Sequence, residues 1–238
     1  MRSVLTACVR HVYAEADGTT SCVLAEMTAN TGEVISVEPD HRVHRHLLNN
    51  RRSHNCSFHA WLGTFGTQPL VFGGFNGLLT HGAWRPDFET TYIPATIQSA
   101  RWAAPNVRNV HELEAATGVR INAVLVDCEG CIEHVLDTDL PGQVELLLME
   151  EDGFWAPERR HKYAHFHERL RGLGLERFWR WQGRNSSEEH SAWRRRGTML
   201  EAPSCSEYIA RMGYTQESGM DGQFARGPAG AGRCLPVE

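Results

Sequence analysis

Residues 124–136 read VLVDCEGCIEHVL. An apolar run ends on Asp127, Cys128, Glu129, Gly130 and Cys131, and a helical pattern resumes at Ile132. A buried strand that closes on carboxylates and passes straight into a helix is a junction of an α/β sheet. In such sheets ligands sit outside the carboxyl ends of the strands. The alternatives at this point are a redox or zinc pair at the two cysteines, or an ordinary strand-to-helix turn.

Working outward, short apolar runs alternate with amphipathic segments, the pattern of a doubly wound, mostly parallel sheet flanked by helices. Strands are expected at 11–15, at 32–40 with the strand proper ending on Glu38, at 57–62, at 121–126 and at 144–152. The last, VELLLMEED, is almost continuously apolar before its acids, as in a strand covered on both faces. Helices are expected at 21–28, 40–51, 110–118, 131–136 and 157–171. In them Val43, Leu47 and Leu48, then Tyr163, Phe166 and Leu170, form inner stripes at helical spacing. Gly118 supplies a C-cap. LERFWRW (175–181) and HSAWRRR (190–196) suit a C-terminal antiparallel hairpin. Residues 73–107 are rich in glycine and broken by Pro86, Pro94 and Pro105, which suggests a loop region with a small hairpin or short helix that contacts a substrate. A catalytic-type domain over 1–197 and a loosely structured tail over 198–238 are therefore expected.

The chain has 238 residues, 41% hydrophobic and 22% charged, and carries a net charge of −5 with 13 histidines. That size supports one sizeable core, and that charge does not favour nucleic acid. No apolar run reaches the ~18 residues of a membrane span. The patch at 4–9 is cut by Arg10 and His11, so a cleavable leader is not expected. Seven scattered cysteines, an odd number, argue against a disulfide scaffold and for the cytoplasm or another reducing compartment.

The acids carry the chemistry. Glu15 and Glu38 end the first two expected strands, with the small-residue turn Ala16, Asp17, Gly18 through Ser21 between them. A carboxylate after the second strand accepts two hydrogen bonds at once, which suits the cis-diol of a ribose. The turn lacks the G-x-G-x-x-G that admits a pyrophosphate, so an NAD-type oxidoreductase is disfavoured. S-adenosylmethionine has no pyrophosphate and needs only a close turn. Asp127 and Glu129, with Glu150, Glu151 and Asp152 at the end of the fifth strand, add further carboxylates to the same predicted rim. Such a cluster suits a sulfonium cation, a metal ion, or a substrate hydroxyl that needs a base.

The order GEVISVEPDHRVHRHLLNN, VHELEAATGVRINAVLVDCEGCIEHVL, VELLLMEED resembles the FkbM-type class I S-adenosylmethionine-dependent methyltransferases. It is similar in particular to the branch whose motifs read DCEGC and EED, and the likeness spans roughly residues 10–195. The resemblance implies a Rossmann-like fold and methyl transfer to a hydroxyl of a small molecule or glycan. Glu15, Ala16, Asp17, Gly18 and Ser21 would then face the methionine part of the cofactor, Glu38 the ribose and Trp61 the adenine. Asp127 would lie beside both cofactor and acceptor, with Glu129 next to it; these two are the candidate catalytic residues. Asp17 and Ser21 stand where the family carries glycines, and Ile132 stands where many members carry glutamate. A methyltransferase-fold chain that no longer binds cofactor is therefore the alternative.

The remaining features read as structural. Glu129 between Cys128 and Cys131 would raise a thiol pKa, and no further ligand pair completes a zinc site. His41, His44, His46, His165 and His167 fall among arginines on what reads as solvated helix faces. A DCEG turn replaces the N/D-P-P-Y/F turn used for base amines, so a nucleic-acid substrate is disfavoured despite the arginine runs. Asp127, Glu151 and Asp152 are the set that would hold Mg²⁺ in a metal-assisted reaction. The simpler assignment has them orient cofactor and cap helices, so no metal is expected. The oligomeric state is not legible.

Overall fold

The computed structural model describes residues 4–7, 19–38, 41–65, 70–75, 90–94, 106–107, 110–127, 132–151, 157–183, 189–199, 215–219, 222–227 and 230–234. The chain divides into two compact units, Met1–Val144 and Glu145–Glu238.

In the first unit, β1 (Val4–Ala7), α1 (Thr19–Met27), β2 (Val34–Glu38), α2 (His41–Ser53) and β3 (His59–Leu62) form consecutive β-α-β crossovers. Two short pairs follow. β4 (Thr64–Phe65) runs parallel to β7 (Asn106–Val107), and β5 (Leu70–Phe75) forms an irregular antiparallel ladder with β6 (Thr90–Pro94). α3 (Val110–Thr117), β8 (Ala123–Val126), α4 (Ile132–Leu136) and α5 (Leu140–Gln143) complete the unit. Its main sheet is parallel in the order β3-β2-β1-β8. Because crossovers are right-handed, α1 and α2 lie on one face, and the reversal of winding at β1 puts α3 on the other. All five residues of β2 are buried, as this two-sided cover requires. Val34 packs with Ala25, Leu47 and Phe58, while Cys22, Leu24, Cys56 and Ala60 border the cluster. The doubly wound, Rossmann-like arrangement expected from the sequence is the one that this unit adopts.

In the second unit, β9 (Leu146–Glu151), α6 (Pro157–Gly172), β10 (Leu175–Gly183) and β11 (Glu189–Arg195) precede β12 (Thr215–Gly219), β13 (Gly222–Gly227) and β14 (Gly230–Cys234). The order is β9-β11-β10-β14-β13-β12, every pair antiparallel. The expected hairpin is present, with its second strand inserted between β9 and β10. A bulge lies between Arg177 and Trp179.

Three expectations need correction. The strand beside β2 is Val4–Ala7 and not 11–15; residues 8–18 lie outside those described. The patch VLTA, judged unsuited to a leader and given no strand, has the apolar and β-branched character that a central parallel strand needs. Second, the segment from 198 onward, expected to be a loose tail, contributes three strands. Their Gly-rich alternation carries little apolar signal, and the ladder of backbone hydrogen bonds defines them. Third, Cys22 and Cys56 form a disulfide, with Cα atoms 5.2 Å apart. An odd total concealed one pair brought together by the packing of α1 against the segment that follows α2.

Polar contacts fix the ends of α3. Asp139 Oδ1 accepts the Val110 N–H at 3.2 Å, satisfying one orphan donor at the helix start. At the other end Gly118 takes φ +74°, and its N–H donates to the Glu114 carbonyl at 2.8 Å. Glu114 Oε1 accepts from the Ile121 N–H at 2.8 Å and from Gln143 Nε2 at 2.9 Å, and Oε2 pairs with His111. Burial alone would raise the Glu114 pKa; the hydrogen bonds from Ile121, His111 and Gln143 outweigh it and hold the carboxyl below its ordinary value.

A folded-state pKa below the unfolded one stabilises at pH above the ordinary carboxylate range, and that stabilisation disappears as pH falls through the depressed value. Glu114→Gln is therefore expected to lower the urea midpoint at neutral pH and to flatten its decline toward acid, in a titration series run over pH 3–7. The disulfide closes a loop with a sequence separation of 34. Cys22→Ser with Cys56→Ser is expected to cost about 2–4 kcal/mol by the loop-closure relation. Urea unfolding of the double variant measures that loss.

Candidate functional site

In the first unit, β2 and β8 deliver acids to the carboxyl edge of the sheet. Glu38, the last residue of β2, is only 4% exposed. The Gly63 N–H donates to the Glu38 carbonyl at 3.1 Å, which ties the end of β2 to the turn after β3. Gly63 is itself buried and brings no side chain of its own to that turn. Asp127 directly follows β8 and is half-buried. With β1 flanked by β2 on one side and β8 on the other, these two acids bracket the point where the winding reverses. That is where open α/β sheets leave a crevice for ligands.

The structure does not gather every expected residue there. Ser21 is 1% exposed, and its hydroxyl is spent on Ser36 Oγ at 2.6 Å, locking the first turns of α1 onto the middle of β2. Trp61 pairs with Val37, whereas Glu38 pairs with Leu62. Strand alternation therefore puts Trp61 on the sheet face opposite Glu38. Glu15, Ala16, Asp17, Gly18, Glu129 and Asp152 lie outside the described residues, as do Cys128 and Cys131. Among the described residues no group of three or more His, Cys, Asp or Glu is placed to hold a metal ion.

The second unit contains a polar network that sequence reasoning missed. Glu151 is fully buried at the end of β9. Its Oε1 accepts from His167 Nε2 at 3.0 Å and from Ser191 Oγ at 2.7 Å, while Trp193 Nε1 donates to Ser191 Oγ at 3.0 Å. Glu151 Oε2 has no hydrogen-bond partner among the described residues. Directly opposite in the ladder stands Glu189, also 0% exposed. Arg180 engages it with two hydrogen bonds, Nε at 2.5 Å and Nη2 at 2.9 Å, and Arg177 Nη1 lies 4.0 Å away. Arg177 also stacks over the buried Trp193 ring at 5.4 Å.

Two histidines depart from the solvated-face expectation. His167 lies in the stripe Tyr163, Phe166, His167, Leu170, whose i, i+3, i+4, i+7 spacing was a legible signal that it points inward. His44 is half-buried on α2, where burial first, and then the nearby Arg51, lowers its pKa against a raising hydrogen bond at Ala60. Its Nε2 is buried and has no hydrogen-bond partner among the described residues. His46 and His165 are exposed as expected.

No family model matches this chain, and no curated protein matches it. Solved structures with partial likeness include a protein of the NADB-Rossmann superfamily from Streptococcus agalactiae (10% identity, TM-score 0.44, 87% of this chain and 67% of that one). Another is the precorrin-6y C5,15-methyltransferase of Geobacter metallireducens (9%, 0.41, 84% and 81%). A third is the 23S rRNA methyltransferase ErmE (14%, 0.36, 89% and 68%). Likenesses at these values assign neither family nor activity.

Removing the Glu189 carboxylate takes away the buried counter-charge that Arg180 hydrogen-bonds and Arg177 approaches. Glu189→Ala is expected to destabilise the protein by about 3–5 kcal/mol, and Glu189→Gln by less, since it retains an acceptor for Arg180. Urea unfolding at neutral pH measures both.

Proposed function

We propose that the first unit binds S-adenosylmethionine and that the protein is a methyltransferase, acting on a hydroxyl of a small molecule or glycan. The observation that carries this is the buried Glu38 carboxyl at the carboxyl end of β2, beside the point where the order β3-β2-β1-β8 reverses. A carboxylate there accepts both hydroxyls of a ribose. The antiparallel insertion of β11 between β9 and β10 also suits the class I methyltransferase fold. The residues present thus fit the nucleoside part of the cofactor.

S-adenosylmethionine would supply an electrophilic methyl carbon. The protein's contribution is mostly positioning, because in-line displacement rewards alignment above all. Glu38 would anchor the ribose. Asp127, half-buried at the end of β8, would orient the acceptor hydroxyl and take its proton, with Glu129 two residues on as its partner in that task. The FkbM-type resemblance in DCEGC and EED supports this assignment of acids. Ser21, committed to Ser36, would act through the placement of α1 and not by touching cofactor.

Calorimetric titration with S-adenosylmethionine and its demethylated product tests the reading, and the absence of heat from both overturns it. Glu38→Ala is expected to weaken binding by about ten- to a hundredfold. Asp127→Asn should leave binding largely intact and lower kcat by about 10²–10⁴-fold, in an assay of methyl incorporation into hydroxylated acceptors.

A further inference from the structure

Asn55, Cys56 and Ser57 spell N-C-S, the acceptor triplet for N-linked glycosylation. The structure adds three observations that the triplet alone lacks. Asn55 is exposed in the turn that closes α2, in the left-handed region at φ 53°. Its backbone is engaged, the N–H with the Arg52 carbonyl at 3.3 Å and the carbonyl with Asn30 Nδ2 at 3.0 Å. Its side-chain amide makes no hydrogen bond among the described residues. Next to it, Cys56 is bonded to Cys22, and structural disulfides persist in the oxidising compartments where secreted and surface proteins mature. Finally, Asn55 borders an open cleft of about 380 Å³ lined by Val23, Glu26, Asn50, His54 and the disulfide.

We propose that Asn55 is an N-glycan acceptor and that the protein matures in an oxidising lumen, contrary to the reducing compartment suggested by its odd cysteine count. In the step itself the Asn55 amide nitrogen bonds to the anomeric carbon of a lipid-diphosphate-linked oligosaccharide. The bond from that carbon to the diphosphate oxygen breaks, the lipid diphosphate leaves with the electron pair, and the amide loses one proton. The cleft then receives the first sugar. Val23, 49% exposed, faces an apolar sugar surface, and Glu26, Asn50 and His54 offer partners to hydroxyl and acetamido groups. The cleft sits where α1 and α2 end, at the amino edge of the parallel strands, so a glycan there leaves the carboxyl edge with Glu38 and Asp127 open. The proposal is independent of the cofactor reading.

A second triplet, Asn185, Ser186 and Ser187, falls between β10 and β11, outside the described residues, and provides an internal comparison. The test is peptide mapping, without reduction, of protein recovered from its native cells, before and after peptide N-glycosidase. The expected result is a Cys22–Cys56 cross-linked peptide carrying a glycan, in which Asn55 is converted to Asp on deglycosylation. In those cells Asn55→Gln and Ser57→Ala should each remove one glycan step in gel mobility, and Asn185→Gln should leave the Asn55 peptide unchanged. An unmodified Asn55 overturns the proposal, whether the two cysteines are bridged or free.

Discussion

The first unit depends on a single constraint: β2 is covered on both faces, so everything polar on it must be answered from within the protein. Its five residues alternate between a face under α1 and α2 and a face on the α3 side. On the helix-covered face Val34 is met by an apolar cluster and Ser36 by Ser21. Glu38 comes last, at the carboxyl edge of the strand and still buried. The position of the acid is thus a result of the same burial that makes the strand apolar.

The second unit solves the opposite problem. Its sheet places two carboxylates opposite one another inside the fold, at Glu151 and Glu189. Each is answered differently, Glu189 by the guanidinium of Arg180 and Glu151 by the Ser191 hydroxyl and the His167 ring. Trp193 joins the two, donating its indole N–H toward the Glu151 side and presenting its ring to Arg177. Charges in such a setting add little net stability but penalise any alternative packing that would leave them unpaired.

The alternation of apolar runs and amphipathic segments was enough to place α1, β2, α2, β3, α3, β8, β9, α6 and the β10–β11 hairpin within a few residues, because each has a clear period or an apolar core. Val4–Ala7 is not legible as a strand because four residues are too short a run to show a period. The strands after residue 214 were missed because glycine and small polar residues give no periodic signal when backbone pairing does the organising. At the site, the positions of Glu38 and Asp127 at strand ends were legible from strand length. The commitment of Ser21 to Ser36 was not, since it depends on how a helix seats on a strand. The disulfide was hidden for the same reason: Cys22 and Cys56 meet only through tertiary packing.

The pairing of β1 between β2 and β8 also has a kinetic meaning. Val4 sits opposite Ala123, so β1 is completed by a strand that emerges 119 residues later. During synthesis β1, β2 and β3 can associate while the far side of β1 remains an open edge. Closure of so long a loop is slow relative to local helix formation. The order of pairing thus makes the closing of β1 against β8 the step with the longest loop in this sheet.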